Sequence, residues 1–448
     1  MKKYTFDEFH KIIGGEIKRN NFEGNIENAS CGTRYIHKNA VFFYTSRSKL
    51  YRDDFVNTNN IIVTDKELGS EFDDFTIIYV KNIRAALKKF VTHYRALFDI
   101  PVIGVTGTCG KTTTKEMIKH ILSKFYNVQG TILSNNAAFL NIRYLVKLND
   151  NIDVGVYEMG VGWPNDIIES AMYFKPNIGI ITNIGYDHFK GCKNLEGYIK
   201  AKSKMLEVID ESGFLILNKD CENISKINTS DFNGRLIYFG KTDCEYKISN
   251  IDVLRMTYVL NHNDENYVVK VPGLGEHNMY NVTAAIIACN LVGVSIADSI
   301  EQLEDFKHVH KHLELKKGVN GSTIIDDSFS SNPTALKAAI TVLSKFPKKK
   351  VVILSKMGCL GSLEEELHRE MGRNLGEVDY LFTLDQVSKL IAEGAIEAGL
   401  DESRIYMLEN TEDIEDILVK LLDSDTVVLF KTSMFGGFDD VLKYIVDD

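Results

Sequence analysis

The sequence predicts an α/β protein in which three domains follow one another along the chain. Strands alternate with helices from residue 100 onwards and again from residue 322, a pattern typical of parallel sheets covered by helices. The chain has 448 residues, too many for a single hydrophobic core. Because this pattern changes near residues 98 and 312, we predict domains at 1–98, 99–312 and 313–448.

Short sequence runs give the predicted elements in chain order. The first domain has a helix near Phe6 to Ile12 and strands at AVFFYT and NIIVTD. The second has strands at VIGVTG, VGVYEMG and IGIITNIG, then short β-like runs over 209–272, interpreted as an antiparallel edge or insertion, and a helix at NMYNVTAAIIACNLVG. The third has strands at STIIDD, KVVILS, YLFTL and TVVLFK, with helices after Pro333 and over 363–375.

The composition predicts a soluble protein of the cytoplasm. A formal charge of −10 argues against a nucleic-acid partner, which favours a basic face. The seven cysteines include no C-x-x-C pair, which suits a reducing compartment better than a disulfide framework or a zinc site. The N-terminal stretch MKKYTFDEFHKIIGG has no long apolar run, so we expect neither a signal peptide nor a membrane span. The oligomeric state is left open, with a monomer as the expectation.

The stretch GVTGTCGKTTTKEM turns from a buried strand into glycine, lysine and hydroxyl residues at the start of a helix. Backbone N–H groups that converge in such a turn, at the positive end of a helix dipole, bind phosphate. Lys111 can then reach the terminal phosphates, and the Thr112 hydroxyl can hold magnesium. The alternative is an ordinary strand–turn–helix corner, which the required order of these residues disfavours. The common longer spacing needs glycine at Val105, so we predict a variant P-loop.

Polar side chains end two further predicted strands. Glu158 follows the apolar run of VGVYEMG, and Asp187 and His188 follow IGIITNIG. Because the carboxyl ends of parallel strands share one edge of a sheet, we expect these residues to face the same crevice as the P-loop. Each residue alone suits a strand end that faces water. A carboxylate and an imidazole together beside a nucleotide favour a divalent metal site.

Three other clusters admit more than one interpretation. Asn278 and Asn281 lie three residues apart on one helix face, where their amides suit a purine edge or, for Asn278, a helix cap. The lysines of LEGYIKAKSKML are typical of a solvated helix face. Asn332 precedes Pro333 and can cap a helix, which leaves the acidic pair of STIIDD without a structural explanation.

Taken in order, these motifs resemble those of the Mur ligase family over almost the whole chain. The matching stretches are GVTGTCGKTTTKEM, VYEMGVGWPNDI, TNIGYDHFKGCKNLEGYIKAKSKML, GEHNMYNVTAAI, IIDDSFSSNPTALKAAI and MGCLGSLEEELHREMG. The family's T-G-T-x-G-K-T spacing accounts for the variant P-loop. Within the family, the likeness is closest to the type that adds D-alanyl-D-alanine to UDP-N-acetylmuramoyl-tripeptide.

The resemblance implies a three-domain Mur ligase architecture, with an N-terminal substrate domain, a central P-loop ATPase domain and a C-terminal Rossmann-like domain for the amine substrate. It implies that ATP, with Mg²⁺, phosphorylates a substrate carboxylate and that an amine attacks the acyl phosphate to form an amide in peptidoglycan synthesis. The implied nucleotide-binding residues are Gly107, Thr108, Gly110, Lys111, Thr112, Thr113, His277, Asn278, Asn281 and Asp327. The implied catalytic residues are Lys111, His188 and a carbamylated Lys202, and the implied metal ligands are Thr112, Glu158, His188 and Lys202. The implied substrate residues are Thr33, Arg34, Asn135, Asn136 and Asn332.

Departures from the family pattern lie mainly where the substrates bind. The family's D-[ST]-R motif begins here with Gly32, which lacks the acid, and FYTSRSKLYRDDF replaces the glycine-rich stretch that follows. NNEIGVP becomes NNAAFLN, and GRLE becomes KHLE, with His312 in place of a nucleotide-contacting arginine. One alternative is therefore a paralogue that joins a non-muramyl acid to an amino acid or amine. A second alternative is a non-catalytic nucleotide-binding subunit, which has little use for second-metal ligands such as His188 and Lys202.

Overall fold

The structure is a computed structural model that describes residues 1–45, 50–408, 414–434 and 436–447. Within these ranges the strands form three sheets, of five, nine and six strands, and each sheet lies in one of the three predicted segments. The domain boundaries themselves stay a prediction. No helix in the described part of the chain combines the length and the apolar character that crossing a bilayer requires.

The N-terminal segment packs two helices on a five-stranded sheet of order β1-β5-β4-β3-β2, in which β1 is antiparallel to β5. Its elements are α1 (Phe6–Ile13), β1 (Glu16–Arg19), β2 (Asn28–Ser30), β3 (Ala40–Phe43), β4 (Ile61–Thr64), β5 (Thr76–Tyr79) and α2 (Ile83–Arg95). The ring of Phe9 on α1 meets those of Phe43 and Phe90 edge-on, which ties both helices to the sheet. Residues 46–49 of the FYTSRSKLYRDDF stretch lie outside the described ranges.

The central segment builds the nine-stranded sheet, of order β14-β13-β12-β11-β10-β9-β6-β8-β7. Its strands are β6 (Val102–Thr106), β7 (Val128–Gly130), β8 (Val154–Glu158), β9 (Ile178–Ile181), β10 (Phe214–Asn218), β11 (Arg235–Gly240), β12 (Tyr246–Asp252), β13 (Thr257–His262) and β14 (Glu265–Lys270). Its helices are α3 (Lys111–Leu122), α4 (Asn141–Leu145), α5 (Asp166–Phe174), α6 (Phe189–Cys192), α7 (Leu195–Ser203), α8 (Met205–Val208), α9 (Glu222–Ser225), α10 (His277–Leu291) and α11 (Ile296–Leu303). Every residue of β6 and β8 is buried, as expected for parallel strands covered on both faces.

The prediction of an antiparallel edge over 209–272 is wrong for the first part of that range. Strands β10 and β11 run parallel to β9 and extend the main sheet. Within residues 209–272, all of which the structure describes, only the β12–β13 and β13–β14 pairs are antiparallel. The misinterpretation has a physical cause, because a short apolar strand looks the same in sequence whichever way its neighbour runs.

The C-terminal segment forms a six-stranded sheet of order β15-β16-β20-β17-β18-β19, parallel except for the β15–β16 pair. Its strands are β15 (Glu314–Lys317), β16 (Thr323–Asp326), β17 (Lys349–Leu354), β18 (Tyr380–Thr383), β19 (Ile405–Met407) and β20 (Thr426–Lys431). Its helices are α12 (Pro333–Leu343), α13 (Glu364–Arg373), α14 (Lys389–Glu397), α15 (Ile414–Leu421) and α16 (Asp439–Ile445). The predicted strands and helices of this segment are confirmed.

Candidate active site

The P-loop joins β6 to α3 through a turn that only glycine allows at two positions. Gly107 and Gly110 have φ values of 152° and 79°, where a side chain is disfavoured. A side chain at Gly110 would also collide with the amide of Asn281. The side-chain amide of Asn183 fixes the turn from the neighbouring strand, since it accepts a hydrogen bond from the Cys109 N–H and donates one to the Cys109 carbonyl, both at 3.0 Å.

Glu158 is buried at the end of β8, where Thr112 from the start of α3 and Asn136 contact its carboxylate. The Thr112 hydroxyl donates to one carboxylate oxygen of Glu158 at 2.9 Å, and the Asn136 amide donates to the other at 2.7 Å. The Lys111 ammonium folds back and donates to the Thr108 carbonyl at 2.9 Å. The structure therefore brings Thr112 and Glu158 together, as the predicted metal ligands require.

Lys202 lies beneath the same turn and is fully buried. Its ammonium donates to the Gly107 carbonyl at 2.8 Å and lies 4.4 Å from the centre of the Tyr198 ring. Burial, with the positive charge of Lys111 as a second cause, holds the pKa of Lys202 well below its usual range. The interpretation of the LEGYIKAKSKML lysines as one solvated face is therefore wrong for Lys202, whereas Lys200 is exposed.

His188 directly precedes α6, in a left-handed conformation with φ of 53°. It lines a cleft together with Lys111, Asn136 and Asp166. Burial lowers the pKa of His188, although the Asp187 carboxylate 3.8 Å away acts in the opposite direction. The imidazole is thus held neutral, the form that ligates metals.

The donor set at Glu158 fits a magnesium ion. Magnesium prefers hard oxygen ligands and keeps several from water or phosphate, and the protein offers the Glu158 carboxylate beside the Thr112 hydroxyl. In the described ranges no group of three or more His, Cys, Asp or Glu side chains is arranged to hold a metal ion. Side chains in the described part of the chain therefore do not complete a ligand cage by themselves, and Mg²⁺ sites beside phosphates use this incomplete arrangement.

The predicted adenine residues pack around the first turns of α3 and α10. The Asn281 amide donates to Asn278 at 2.9 Å, and its oxygen lies 3.4 Å from the Thr114 hydroxyl, so Asn281 lies directly behind the P-loop. Asn278 donates to the Leu274 carbonyl rather than capping the helix. Burial lowers the pKa of His277 to about 4, so its ring is neutral. Thr113 is buried on the same turn of α3.

Asn332 brings the C-terminal segment against the P-loop. Asn332 caps α12 by accepting from the Ala335 N–H at 2.8 Å, and its amide also lies 3.4 Å from Asp187. The Cys109 thiol lies 3.6 Å from the Asn332 oxygen. Asn332, predicted as a substrate residue, therefore joins α12 to the phosphate-binding turn.

The predicted N-terminal substrate residues lie apart from these contacts. Thr33 and Arg34 belong to a short 3₁₀ helix whose Tyr35 ring packs 3.8 Å from the Arg143 guanidinium. Arg34 is exposed, and Gly32 precedes the helix without a side-chain cap. An apolar cavity lined by Cys31, Thr45, Ala138 and Glu169 lies beside this helix.

That cavity adjoins the crevice, because Ala138 lines both. Asn135 is exposed next to Asn136, and its carbonyl accepts from the Tyr144 hydroxyl at 3.1 Å. The cavity at Cys31 and the cleft at Lys111 are therefore neighbours.

Sequence reasoning missed two residues of this site. Asn183 follows β9 and holds the P-loop turn. Lys431 ends β20, is almost fully buried and donates to the Asp327 carboxylate at 2.6 Å and to the Ser330 carbonyl at 2.9 Å. A polar residue at the end of an apolar strand, or just beyond it, was the available signal in both cases.

We expect Lys431→Met to destabilise the protein by about 3–5 kcal/mol, because it leaves the buried Asp327 carboxylate without its partner. Lys443→Met is the matched control, since Lys443 pairs with Asp440 at the surface, where such pairs contribute at most about 1 kcal/mol. Urea unfolding followed by circular dichroism measures both. Equal losses in the two variants would contradict the assignment of Lys431 as a buried structural cation.

Comparison with known proteins finds Mur ligase domains in two separate regions of the chain. The profile of the Mur ligase middle domain matches residues 105–289, and that of the Mur ligase glutamate ligase domain matches residues 313–434. The UDP-N-acetylmuramoyl-tripeptide--D-alanyl-D-alanine ligase of Bacillus subtilis (strain 168) is 27% identical over 462 residues, covering 100% of this chain and 99% of that protein. The protein of the same description from Haemophilus influenzae is 26% identical, covering 98% of this chain and 96% of that protein.

Solved structures resemble the chain along nearly all of its length. A crystal structure of MurF from Acinetobacter baumannii superposes with a TM-score of 0.86 at 23% identity, covering 99% of this chain and 98% of that one. MurF ligase from Thermotoga maritima in complex with ADP superposes with a TM-score of 0.79 at 21% identity, covering 94% and 97%. These likenesses confirm the predicted three-domain α/β fold.

Proposed function

The chain belongs to the Mur ligase family, and from this membership we propose that it is an ATP-dependent, ADP-forming ligase that joins D-alanyl-D-alanine to UDP-N-acetylmuramoyl-tripeptide. The family and the domain order predicted from the motifs are consistent with the relatives, which match the whole chain under that description. The chemistry transfers the γ-phosphoryl group of ATP to the substrate carboxylate. The amine then attacks the acyl carbon, an amide bond forms and inorganic phosphate leaves.

The residues of the crevice suit phosphoryl transfer, which depends on positioning and charge neutralisation more than on covalent chemistry. The backbone N–H groups at the Gly110 end of the turn and at the start of α3 would hold the phosphates, since the N–H groups of Thr108 and Cys109 donate to Asn183. Lys111, which now donates to the Thr108 carbonyl, would turn to the terminal phosphates. Asn281, with His277 or Asn278 beside it, would approach the adenine from α10. Asp327 would contact the nucleotide from the C-terminal segment.

Magnesium, when bound, would neutralise the charge that develops on the transferred phosphoryl group. Thr112 and Glu158 would hold one ion, and His188 with a carbamylated Lys202 would hold a second. Asn136 keeps the Glu158 carboxylate oriented through its 2.7 Å hydrogen bond. The neutral His188 ring presents a free nitrogen rather than a competing positive charge.

The convergence of Lys111, the Thr112–Glu158 pair and the buried Lys202 on one turn is the observation that carries this proposal. The test is phosphate release by the purified protein with ATP, Mg²⁺, UDP-N-acetylmuramoyl-tripeptide and D-alanyl-D-alanine. We expect release that requires all four, with the amide product detected by mass spectrometry. Phosphate release that does not depend on D-alanyl-D-alanine, or no phosphate release at all, would contradict the assigned substrates.

A second candidate, a ligase of the same type for a non-muramyl acid, is favoured by Gly32. This residue has no side chain to hydrogen-bond a substrate where the family places an acid, and losing such a partner typically weakens binding by a few kcal/mol.

We therefore expect UDP-N-acetylmuramoyl-tripeptide to bind this protein more weakly than it binds a ligase of this type that retains the acid, while ATP binds both comparably. Isothermal titration calorimetry measures the affinity of each protein for both ligands. Gly32→Asp is the matched variant, because it restores the acid at this position. Equal affinity in the two proteins would remove the basis for the second candidate. Absence of binding at millimolar concentration would place that candidate first.

A further inference from the structure

Lys115 is a fully buried lysine that the mechanism above does not use. It lies three residues after Thr112 on α3, so both side chains leave the same face of the helix. Its ammonium lies 2.7 Å from the Glu116 carboxylate and donates to the Thr131 carbonyl at 3.1 Å and to the Leu133 carbonyl. A buried charge is tolerated only when it is paired and hydrogen-bonded in this way, and these bonds attach α3 to the segment that follows β7.

That segment, residues 131–136, has an unfavourable backbone at Leu133. Leu133 adopts φ of 46°, the left-handed region that favours glycine, while its side chain is more than half exposed. Packing of the Leu133 side chain therefore does not explain the conformation. Such a residue persists only where its surroundings hold it in place, and here the Lys115 ammonium donates to the Leu133 carbonyl.

The two ends of the same segment hold Glu158. The Thr131 hydroxyl accepts from the Glu158 N–H at 3.0 Å, and the Asn136 amide donates to the Glu158 carboxylate at 2.7 Å. The remaining carboxylate oxygen accepts from Thr112. The orientation of the Glu158 carboxylate thus depends on a segment that Lys115 attaches to the phosphate-binding helix.

We propose that Lys115 is a positioning residue whose ammonium fixes residues 131–136 so that the Glu158 carboxylate is aimed at the magnesium ion beside the nucleotide phosphates. The role of Glu158 in this proposal rests on the proposed function. Loss of Lys115 should therefore reduce the gain in nucleotide affinity that Mg²⁺ provides. It should leave the affinity for the nucleotide in the absence of metal unchanged.

The test is ADP binding by the full chain, measured by calorimetry in EDTA and across a Mg²⁺ titration. We expect Lys115→Met to bind ADP in EDTA within about twofold of the wild type. The Mg²⁺ concentration that gives half of the maximal enhancement of ADP binding should rise about 10- to 100-fold, the range seen when partners of metal ligands are removed. Lys124→Met is the matched control, because Lys124 follows the same helix but pairs with the exposed Asp305.

A second substitution at Leu133 distinguishes a positioning role of Lys115 from a general contribution to protein stability. Glycine adopts a positive φ without steric penalty. The Lys115→Met, Leu133→Gly double variant should therefore need less Mg²⁺ than Lys115→Met alone. On a logarithmic scale, at least half of the rise in the half-maximal Mg²⁺ concentration should be reversed. If Lys115→Met does not fold, Lys115→Arg keeps the charge but cannot place one nitrogen on both carbonyls, and it should still raise the Mg²⁺ requirement at least about threefold.

The outcomes distinguish the two claims. No effect of Mg²⁺ on ADP binding by the wild-type protein would overturn the proposed function and this proposal with it. A normal Mg²⁺ effect that is equal in the wild type and the folded Lys115 variants would overturn this proposal alone. No recovery in the Leu133→Gly double variant would also overturn it, because the strained segment would then not be the link.

Discussion

Lys111→Ala and Glu158→Ala should each reduce ATP-dependent phosphate release by at least about a thousandfold while the protein stays folded. Lys111 is the cation at the start of α3 that we propose contacts the terminal phosphates, and Glu158 is the carboxylate that accepts from Thr112 at 2.9 Å. Each change removes charge stabilisation, or its anchor, from the transition state of phosphoryl transfer. The expected loss is several kcal/mol of transition-state stabilisation.

Single-turnover measurements of phosphate release, with circular dichroism as the check on folding, decide this prediction. Lys124→Ala is the control, since it removes a lysine just beyond the same helix, and we expect its rate to stay within about twofold of the wild type. Glu158→Gln refines the test, because it keeps the shape and loses the charge. Turnover near the wild-type rate in folded Lys111→Ala or Glu158→Ala protein would overturn the P-loop and metal assignments.

Local features of the fold were predictable because their causes are local. The β-branched run of β6 followed by glycines predicted the strand, the turn and α3 together. The Asn-Pro pair at 332–333 predicted the start of α12, and Asn332 is its cap. The parallel direction of β10 and β11 was not predictable, because the sheet order depends on which distant strand lies alongside.

The same division applies to the candidate site. Lys111 and Thr112 follow from one contiguous stretch, whereas Lys202 was assigned through the family resemblance and its burial became visible only in the structure. Asn183 holds the turn from 74 residues away, and Lys431 meets Asp327 across 104 residues. A polar residue at a strand end could be noticed in the sequence, but its partner could not be identified.

Lys202 should be carbamylated, and Lys202→Ala should lose about two to three orders of magnitude in turnover, comparable to losing a transition-state donor. Carbamylation forms a bond between the amine nitrogen and the carbon of CO₂ and releases a proton, so it requires the neutral amine. Burial first, and then the Lys111 charge, lower the pKa of Lys202 and favour that form. The product is a carboxylate placed beneath the phosphate-binding turn, where Lys202 now reaches the Gly107 carbonyl.

The helix provides its own matched controls, since Lys200 is exposed and Lys204 is only partly buried. Protein equilibrated with ¹³C-bicarbonate should show one carbamate signal in ¹³C NMR that Lys202→Ala abolishes and Lys200→Ala retains. Formate or acetate should partly restore turnover to Lys202→Ala by replacing the missing carboxylate, and should not stimulate Lys200→Ala.

The sign of the pH dependence follows from the same pKa. Below the pKa of Lys202 the amine is protonated and cannot react with CO₂, so carbamate and turnover should both rise as the pH increases through it. The rise should begin at a lower pH than an ordinary lysine permits, because burial depresses the pKa. Full activity in Lys202→Ala with loss in Lys200→Ala would move the site to the other lysine, and a carbamate signal that survives in Lys202→Ala would contradict the assignment of the modified residue.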